Sequence, residues 1–429
     1  MIQILKEEVK PATGCTEPVA VALAVAKARV YMEQKLQRSL PLEKVILAVG
    51  VSPNLFKNGL GVGIPNCKLR GLSISACLGL WACNPEDGLT IFETMKPEQV
   101  DLAVNYLANE TVSLSVLDTS EKIRVEVSLT FGKDSLELVL NGTHDHIESV
   151  SFNGEVQSVM QPVQAGLVLD KSQFFNMPLE LLVETVAALP TQGIEFLRDG
   201  LEMNKRVAEV GLSESMGMGV GYALHQCVLE GSLGDDLVNK AMYFTAAASD
   251  ARMSGMNITV MSSNGSGNNG LTAILPLAAY FEKNEVTPEN QLRALAMSHL
   301  INCYVKERIG RLSAMCSCAI SAATGSGAAI AWLMSGKTEV VLNTIQNMTG
   351  NLAGMICDGA KEGCALKLAT GAAAGIQAAL LASHGVVMPA LNGIVGRSAQ
   401  ESIENLGVLS RDGMQLTDKV ILSVMKNML

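Results

Sequence analysis

Three short segments of this 429-residue chain place cysteines among turn residues rather than inside apolar helices. They are KPATGCTEP with Cys15, RLSAMCSCAISAATGSG with Cys316 and Cys318, and GMICDGAKEGCALK with Cys357 and Cys364. A cysteine that serves only as a small buried hydrophobe is typical of a Leu/Val stripe, which none of these segments provides. The close C-x-x-C pairs of a zinc ribbon and the ferredoxin run are both missing. Three separated thiolates gathered by the fold could instead bind an iron–sulfur cluster and leave one iron open for substrate.

A fourth segment, MSSNGSGNNGLTAILP at residues 261–276, is a run of Ser, Asn and Gly that opens an apolar helix. Consecutive small residues free backbone N–H groups to point at one spot, and a helix N-terminus adds partial positive charge, so a carboxylate or phosphate could bind there. The Gly-Lys-Ser/Thr ending of a P-loop is missing, and a simple N-capped loop is the structural alternative. The candidate substrate-binding residues are Ser262, Ser263, Asn264, Gly265, Ser266 and Asn268.

The charge balance excludes some partners. The net charge is −10 and no Lys/Arg-rich run occurs, which argues against binding to nucleic acid because phosphate recognition needs clustered positive charge. The chain opens with MIQILKEEVK, which has charges at once and no apolar core of a secretory signal, so a cytoplasmic location is expected. In that compartment the ten cysteines are expected to be reduced thiols.

Two stretches, Leu312–Gly336 and Leu368–Gly396, lack Asp, Glu, Lys and Arg. Their length would admit a membrane span. Both are built from Ala, Gly, Ser and Thr rather than from Leu, Ile and Phe, and neither has flanking aromatic belts. We therefore expect buried helices of a large bundle and no membrane partner.

The pattern of the chain predicts an α+β fold with a large, mostly helical domain. A helix opens near Pro18, VILAVGVS from Val45 is β-rich, and FKNGLGVGIPN from Phe56 is expected to form tight turns rather than helix. Residues 111–156 alternate apolar and polar side chains at period two, which predicts an antiparallel sheet. From about Pro178 the chain is helical almost to its end. The predicted division is a helical cluster-binding domain of residues 1–40 and 171–429 and an inserted α+β domain of residues 41–170, with the boundary near 160–175.

Together these segments resemble the bacterial and archaeal L-cysteine desulfidase family. The resemblance rests on KPATGCTEP, KNGLGVGIP, SSNGSGNNG ahead of ILP, RLSAMCSCAISAATG and NLAGMICDGAKEGCALK, in this order over essentially the whole chain. The later motifs are also similar to the α-chain region of iron–sulfur L-serine dehydratases. The resemblance implies a lyase that converts L-cysteine and water to pyruvate, ammonia and sulfide with a [4Fe–4S] cluster and without pyridoxal phosphate.

The same resemblance implies three cluster ligands. They are Cys15 in the Gly-Cys-Thr-Glu-Pro turn, a cysteine ahead of the Ala/Gly helix, and Cys357. For the middle ligand Cys316 is preferred over Cys318, and Cys364 is a reserve candidate because its position matches a cluster cysteine only in the serine dehydratases.

The general base and the substrate stay open. Glu17 could reach a substrate near Cys15, although an acidic residue at a helix N-terminus is commonly there for the helix dipole. A small amino acid is the expected substrate, with L-serine or another β-substituted amino acid as the alternative to L-cysteine. A non-enzymatic iron–sulfur or thiol sensor of redox state or amino acids would use the same cysteines. The scarcity of charge favours a surface partly covered in a homo-oligomer.

Overall fold

The computed structural model describes residues 1–109, 112–159, 170–310 and 313–428. It confirms the predicted mostly helical α+β fold. The N-terminal segment forms α1 (Ile2–Glu8), β1 (Pro11–Thr13) and α2 (Thr16–Leu36). The α+β part forms the strands β2 (Ile46–Val51), β3 (Val112–Val116), β4 (Arg124–Phe131), β5 (Asp134–Asn141), β6 (Ile147–Phe152) and β7 (Glu155–Val159) and the helices α3 (Pro53–Gly59), α4 (Leu72–Trp81) and α5 (Pro97–Ala108).

The larger helical part follows in chain order. Its elements are α6 (Ser172–Phe175), α7 (Leu179–Ala187), α8 (Phe196–Ser213), α9 (Val220–Leu229), α10 (Leu237–Met253), β8 (Thr259–Met261), α11 (Gly267–Lys283), α12 (Pro288–Ile309), α13 (Ala323–Ser335), α14 (Thr338–Leu352), α15 (Cys364–Ser383), α16 (Ala399–Val408) and α17 (Gln415–Lys426). A π-helical turn, Cys318–Ala322, leads directly into α13.

The main sheet has the strand order β3-β2-β4-β5-β6-β7 in the described part of the chain. The period-two pattern is confirmed, since Val125, Val127 and Leu129 of β4 are buried and alternate with more exposed neighbours. Most neighbouring strands pair antiparallel as predicted, but β2 and β3 are parallel. The helices α3, α4 and α5 lie between these two strands in sequence, and such a helical crossover returns the chain in the same direction.

The N-terminal region differs from expectation in two places. The segment from Phe56 was expected to be turns, yet Phe56–Gly59 completes α3 and the turn begins only at Leu60. Pro53 at the first turn of α3 favours helix there, and Phe56 is buried in the core. In addition β1 separates α1 from α2, because Pro11 pairs with Met261 of β8, a partner far away in the sequence.

Two apolar cores hold the elements together. The first joins α2 and α4 to the sheet and also receives Leu422 and Met425 of α17. The second joins α1 to the helices from α7 to α16. Within the second, α10 packs against α8, α9, α11 and α15, and α13 packs against α12 and α15. The two-domain division stays a prediction, since its boundary near 160–175 lies largely outside the described residues.

The charge-poor stretches form the segments Cys318–Ser335 and Cys364–Ser383. By length and composition both could cross a membrane, but 72% and 61% of their residues are buried inside the protein. They pack as core helices. The beginning of the first stretch, Leu312, is outside the described residues.

Candidate active site

Two of the cysteine segments pair with each other. The amide of Cys316 donates to the carbonyl of Met355 at 2.9 Å, and the amide of Cys357 donates to the carbonyl of Ala314 at 2.6 Å. Met315 and Ile356 lie opposite each other in this short antiparallel bridge. Side chains that flank such a bridge lie close together. The pairing therefore places Cys316 and Cys357 on the same face of the bridge as diagonal neighbours, although they are distant in the sequence.

The thiols around this bridge influence one another. A hydrogen bond with Cys318 and burial raise the pKa of Cys316 well above its ordinary value. Burial, and then the charge of Cys316, raise the pKa of Cys357. Burial raises the pKa of Cys364 to about 11, with a further contribution from Cys316 and Cys357. Four of the five predicted thiols thus form one group. They are Cys316, Cys357 and the alternates Cys318 and Cys364.

Two lysines place positive charge at this group. Lys57 of α3 is only 3% exposed, forms an ion pair with Asp418 at 2.5 Å, and its charge lowers the pKa of Cys357. Lys367 of α15 lowers the pKa of Cys316 and Cys357. Its own pKa is raised: burial acts to lower it, but the contacts with Asp358 outweigh burial. Such cations would stabilise thiolates.

Cys15 lies at the start of α2. Gly14 has a φ of 64°, a left-handed conformation that glycine adopts without steric cost, and it turns the chain from β1 into the helix. The thiol of Cys15 accepts a hydrogen bond from Nη2 of Arg252 at 3.3 Å. Burial raises the pKa of Cys15, Arg252 lowers it and Glu17 raises it again. Glu17 is half-buried in the first turn of α2, near enough for its charge to act on the Cys15 thiol.

The Ser/Asn/Gly segment connects β8 to α11, and its side chains bond within the protein. Ser262 Oγ donates to the carbonyl of Lys10 at 2.6 Å, and Ser266 Oγ caps α11 by accepting from the amide of Asn269. Asn264 and Gly265 both have positive φ and make the tight turn between them. The first amides of α11, from Gly267 and Asn268, have no acceptor within the helix and are the donors available to a ligand.

Both cysteine regions approach the same end of α11. Arg252 donates to Oδ1 of Asn268 at 3.1 Å as well as to Cys15. Ser317, between the two cysteines of its segment, donates to Oδ1 of Asn269 at 3.2 Å. Asn268 and Asn269 are consecutive, so the N-terminus of α11 lies between the Cys15 turn and the Cys316–Cys318 segment.

A polar stripe on α12 supports the Ser/Asn/Gly segment, and sequence analysis missed it. His299, Asn302 and Lys306 are buried polar residues in the C-terminal half of α12, and Lys306 lies in its last turn. Asn302 Nδ2 donates to Ser263 Oγ at 3.0 Å, and Lys306 Nζ donates to the carbonyl of Asn264 at 2.6 Å. The spacing i, i+3, i+7 of polar residues in an otherwise apolar helix is a signal that could have found this stripe.

The hydrogen bonds of Ser263 fix the protonation of His299. Its hydroxyl accepts from the amides of Asn302 and Asn264, at 3.0 and 3.1 Å, which fills both lone pairs. The hydroxyl proton must then point to Nδ1 of His299, 2.9 Å away, so that His299 is neutral with its proton on Nε2. Burial lowers the pKa of His299 to about 3, in agreement with a neutral imidazole.

The KNGLGVGIP segment of the α+β part packs against the segments that carry Ser254 and Lys361, next to Cys15. Gly61 bridges to Lys361, and a side chain on Gly63 would meet the backbone of Ser254. A narrow cleft beside Cys15 is lined by Gly63, Ile64 and Pro65 on one wall. The remaining lining residues are Thr13, Gly14, Pro18, Val19, Thr90, Phe92, Glu93 and Asn257.

The donor set fits a thiolate-bound iron group by its chemistry, because sulfur donors lie together with cations that would offset their charge. Cys316, Cys318, Cys357 and Cys364 are the thiols that the structure brings together, and Cys15 approaches them only through the N-terminus of α11. No three His, Cys, Asp or Glu side chains of the described residues stand in metal-ligating geometry. The ligand set Cys15, Cys316 and Cys357, with the alternates Cys318 and Cys364, stays a prediction.

Comparison with known proteins decides the family. The family model described as serine dehydratase alpha chain matches residues 86–423. The chain belongs to the serine dehydratase alpha chain family. This match contains four of the candidate cysteines, the Ser/Asn/Gly segment and the stripe on α12, whereas Cys15 precedes it. Membership in the serine dehydratase alpha chain family points to a serine-dehydratase-like enzyme, and an iron–sulfur cluster is what the family implies.

Several relatives match along nearly their whole length. A UPF0597 protein of Alkaliphilus metalliredigens is 45% identical over 425 residues, which are 99% of this chain and 94% of that protein. A UPF0597 protein of Clostridioides difficile is 44% identical over 432 residues, covering 100% and 99% of the two chains. A UPF0597 protein of Alkaliphilus oremlandii is 46% identical over 430 residues, covering 100% and 98%. This chain and these relatives therefore share one architecture from end to end.

Proposed function

We propose that this chain is an iron–sulfur lyase that degrades L-cysteine to pyruvate, ammonia and sulfide by β-elimination. The observation that carries the proposal is the bridge between residues 314–316 and 355–357, which places Cys316 and Cys357 diagonally on one face. The neighbouring Lys57 and Lys367 support it, because they supply positive charge where thiolates would bind iron. The family match supports lyase chemistry of the serine-dehydratase type.

Cys316 and Cys357 would hold the [4Fe–4S] cluster together with Cys15. When bound, the cluster supplies a Lewis-acidic iron that makes the β-substituent a better leaving group. The N-terminus of α11 would receive the substrate carboxylate on the amides of Gly267 and Asn268, which orients the Cα–H bond. Glu17 is the proposed base for the Cα proton, since its charge already acts at the Cys15 thiol. The aminoacrylate product hydrolyses to pyruvate and ammonia without further help.

L-Serine is the alternative substrate, and the name of the matching family favours it. Both substrates require the same steps at Cα and the carboxylate, and they differ only in the leaving group. A sensor of redox state or amino acids would keep the thiols and lack turnover. The proposed role is cytoplasmic and independent of pyridoxal phosphate.

The test is anaerobic purification of the full chain with assays of iron and acid-labile sulfide, followed by separate addition of L-cysteine and L-serine. Stoichiometric iron with release of sulfide and pyruvate from L-cysteine is the expected result. Pyruvate from L-serine alone would move the assignment to serine dehydration, and iron without any turnover would favour the sensor. Absence of iron after anaerobic reconstitution would reject the proposal.

A matched pair of variants tests the ligand assignment in the same assay. Cys15→Ser should lose the iron, whereas Cys77→Ser should keep it, because Cys77 is buried in the apolar core of α4. Normal iron content in Cys15→Ser would remove Cys15 from the ligand set.

A further inference from the structure

Helix α15 presents one long face to solvent. The helices α10, α13 and α14 pack against its other sides. A helix face in contact with water normally carries charged side chains, whereas this face carries none. Its members recur every three or four residues, and all but the half-buried Ala373 are exposed. They are Leu366, Thr370, Ala373, Gln377, Leu380 and Leu381.

Exposed apolar side chains continue this face beyond both ends of α15. At the N-terminal end, Met218 is 49% exposed, and a Cβ on Gly363 would lie 3.9 Å from its Sδ. Ile356 is 40% exposed there, and its carbonyl accepts from a lysine in the first turn of α15 at 2.8 Å. At the C-terminal end, Val386 is 52% exposed, and its amide donates to the carbonyl of Leu381 at 2.9 Å.

The size of this surface indicates an interaction site. The 20 residues of α15 make a helix about 30 Å long and about 10 Å wide, so its face alone offers about 300 Å². The apolar side chains beyond both ends enlarge it. Monomeric proteins rarely expose a contiguous apolar surface of more than a few hundred Å², and larger ones mark contacts with a partner.

The order of the residues along the face indicates that the partner is a second copy of this chain. Leu366 and Leu381 are equally far in sequence from the peptide bond that follows Ala373. Thr370 and Gln377 are also equally far from that bond. Two antiparallel copies of α15 that cross there would set Leu366 against Leu381 and Thr370 against Gln377, twice each, as two-fold symmetry requires. The small side chain of Ala373 would lie at the crossing, where the two helix axes come closest.

The charge of the chain favours this face for self-association over the rest of the surface. The net charge is −10, so two copies repel each other at long range. A face without charges lets them meet without placing like charges together and without removing charged groups from water. Burial of the leucines at both ends of the face then supplies the attraction.

We propose that α15 forms a two-fold symmetric interface with a second copy of this chain, antiparallel and centred on Ala373. The same register sets Met218 and Ile356 of each copy towards Val386 of the other, so the apolar side chains beyond the helix ends are covered as well. Because α15 begins at Cys364, each group of thiols would border the interface. The proposal concerns assembly and is independent of the proposed function.

The experiment is sedimentation equilibrium of the anaerobically purified full chain over a series of concentrations. The unaltered chain should have twice the 45.4 kDa mass of one chain. Leu366→Glu should weaken dimerisation about 100-fold, because symmetry places the buried charge in the interface twice, at about tenfold for each site. Leu381→Lys should act similarly. The two substitutions in one chain should restore the dimer, since the antiparallel register sets each glutamate beside a lysine of the other copy.

The matched control is Leu102→Glu, because Leu102 on α5 is 46% exposed and lies outside the face, so the dimer should be unchanged. Recovery in the double variant would also show that the single variants fold. A monomeric unaltered chain, or a dimer that withstands Leu366→Glu, would overturn the proposal. Failure of the double variant to recover would exclude this register and overturn it too, as would equal weakening by Leu102→Glu.

Discussion

At the scale of single residues, the two thiols of the C-S-C sequence differ in what holds them. The amide of Cys316 is fixed by Met355 in the bridge beside Cys357, whereas Cys318 begins the π-helical turn that follows. Cys316→Ser should therefore lose most of the iron, and Cys318→Ser should retain it, in an assay of iron per chain after anaerobic reconstitution. The reverse result would make Cys318 the ligand.

His299 predicts a dependence of stability on pH. Its pKa is about 3 in the folded chain against 6.5 when unfolded, so between these values the unfolded state binds more protons. Stability is then fully present above pH 6.5 and is lost as the pH falls towards 3, with about 1.4 kcal/mol for each pKa unit of difference. His299→Asn should have a smaller loss over this range in urea unfolding.

The pH dependence of stability must be compared between the unaltered chain and His299→Asn, because Asp250 changes stability with pH in the opposite direction. Burial raises the pKa of Asp250 from 3.8 to about 6, so its contribution to stability is fully present below pH 3.8 and is lost as the pH rises towards 6. This contribution is common to both chains and cancels. Parallel stability curves for the two chains would show that His299 is not a neutral buried imidazole.

At the scale of elements, two glycines next to the cysteine bridge make a matched pair. Gly359 has a φ of 95°, and a Cβ there would collide with the carbonyl of Lys57, whereas a Cβ on Gly354 would meet open space. Gly359→Ala should cost about 1–3 kcal/mol in chemical unfolding and reduce iron content, because it separates α3 from the Cys357 segment. Gly354→Ala should change neither quantity. Equal effects of both substitutions would contradict this close approach.

The local pattern of apolar and polar residues predicted most helices and strands, but it did not predict which strands distant in the sequence pair with each other. The alternation in β4 and β5 and the Ala/Gly composition of α13 and α15 are local signals, and the structure confirms these elements. The pairing of β1 with β8 and the parallel pair of β2 and β3 depend on residues distant in sequence, which periodicity does not record. The helical end of α3 was missed because the glycines after it outweighed Pro53 and the buried Phe56.

The difference between local signals and long-range contacts also explains which site residues could be predicted from the sequence. Cysteines in turns carry a chemical signal in their own neighbours, and four of them do form one group. Arg252 and His299 carry no such signal, because each lies in a helix and contacts the site only through residues distant in the sequence. Arg252 contacts Cys15 and Asn268, and His299 contacts Ser263. Asp250 and Arg252, two charges in the apolar run FTAAASDARMSG, were the one local hint of a buried polar site on α10.

At the scale of the whole molecule, one ion pair joins the N-terminal part to the last helix. Lys57 is nearly fully buried, and Asp418 of α17 is its partner. Asp418→Asn should lower the free energy of unfolding by about 1–3 kcal/mol, because it leaves a buried charge unpaired. Glu401→Gln, which breaks the exposed pair with Arg397, should cost less than about 0.5 kcal/mol. Similar losses in both variants would show that burial of Lys57 does not decide the effect.

The partner of Lys57 lies 361 residues further along the chain. At a synthesis rate of about 5–20 residues per second, Lys57 would wait roughly 20 to 70 s before α17 leaves the ribosome. The segment that carries Lys57 can be fixed by this ion pair only after α17 has been synthesised. A chain truncated before α17 should therefore accumulate with less iron than the unaltered chain, even in a cell well supplied with it.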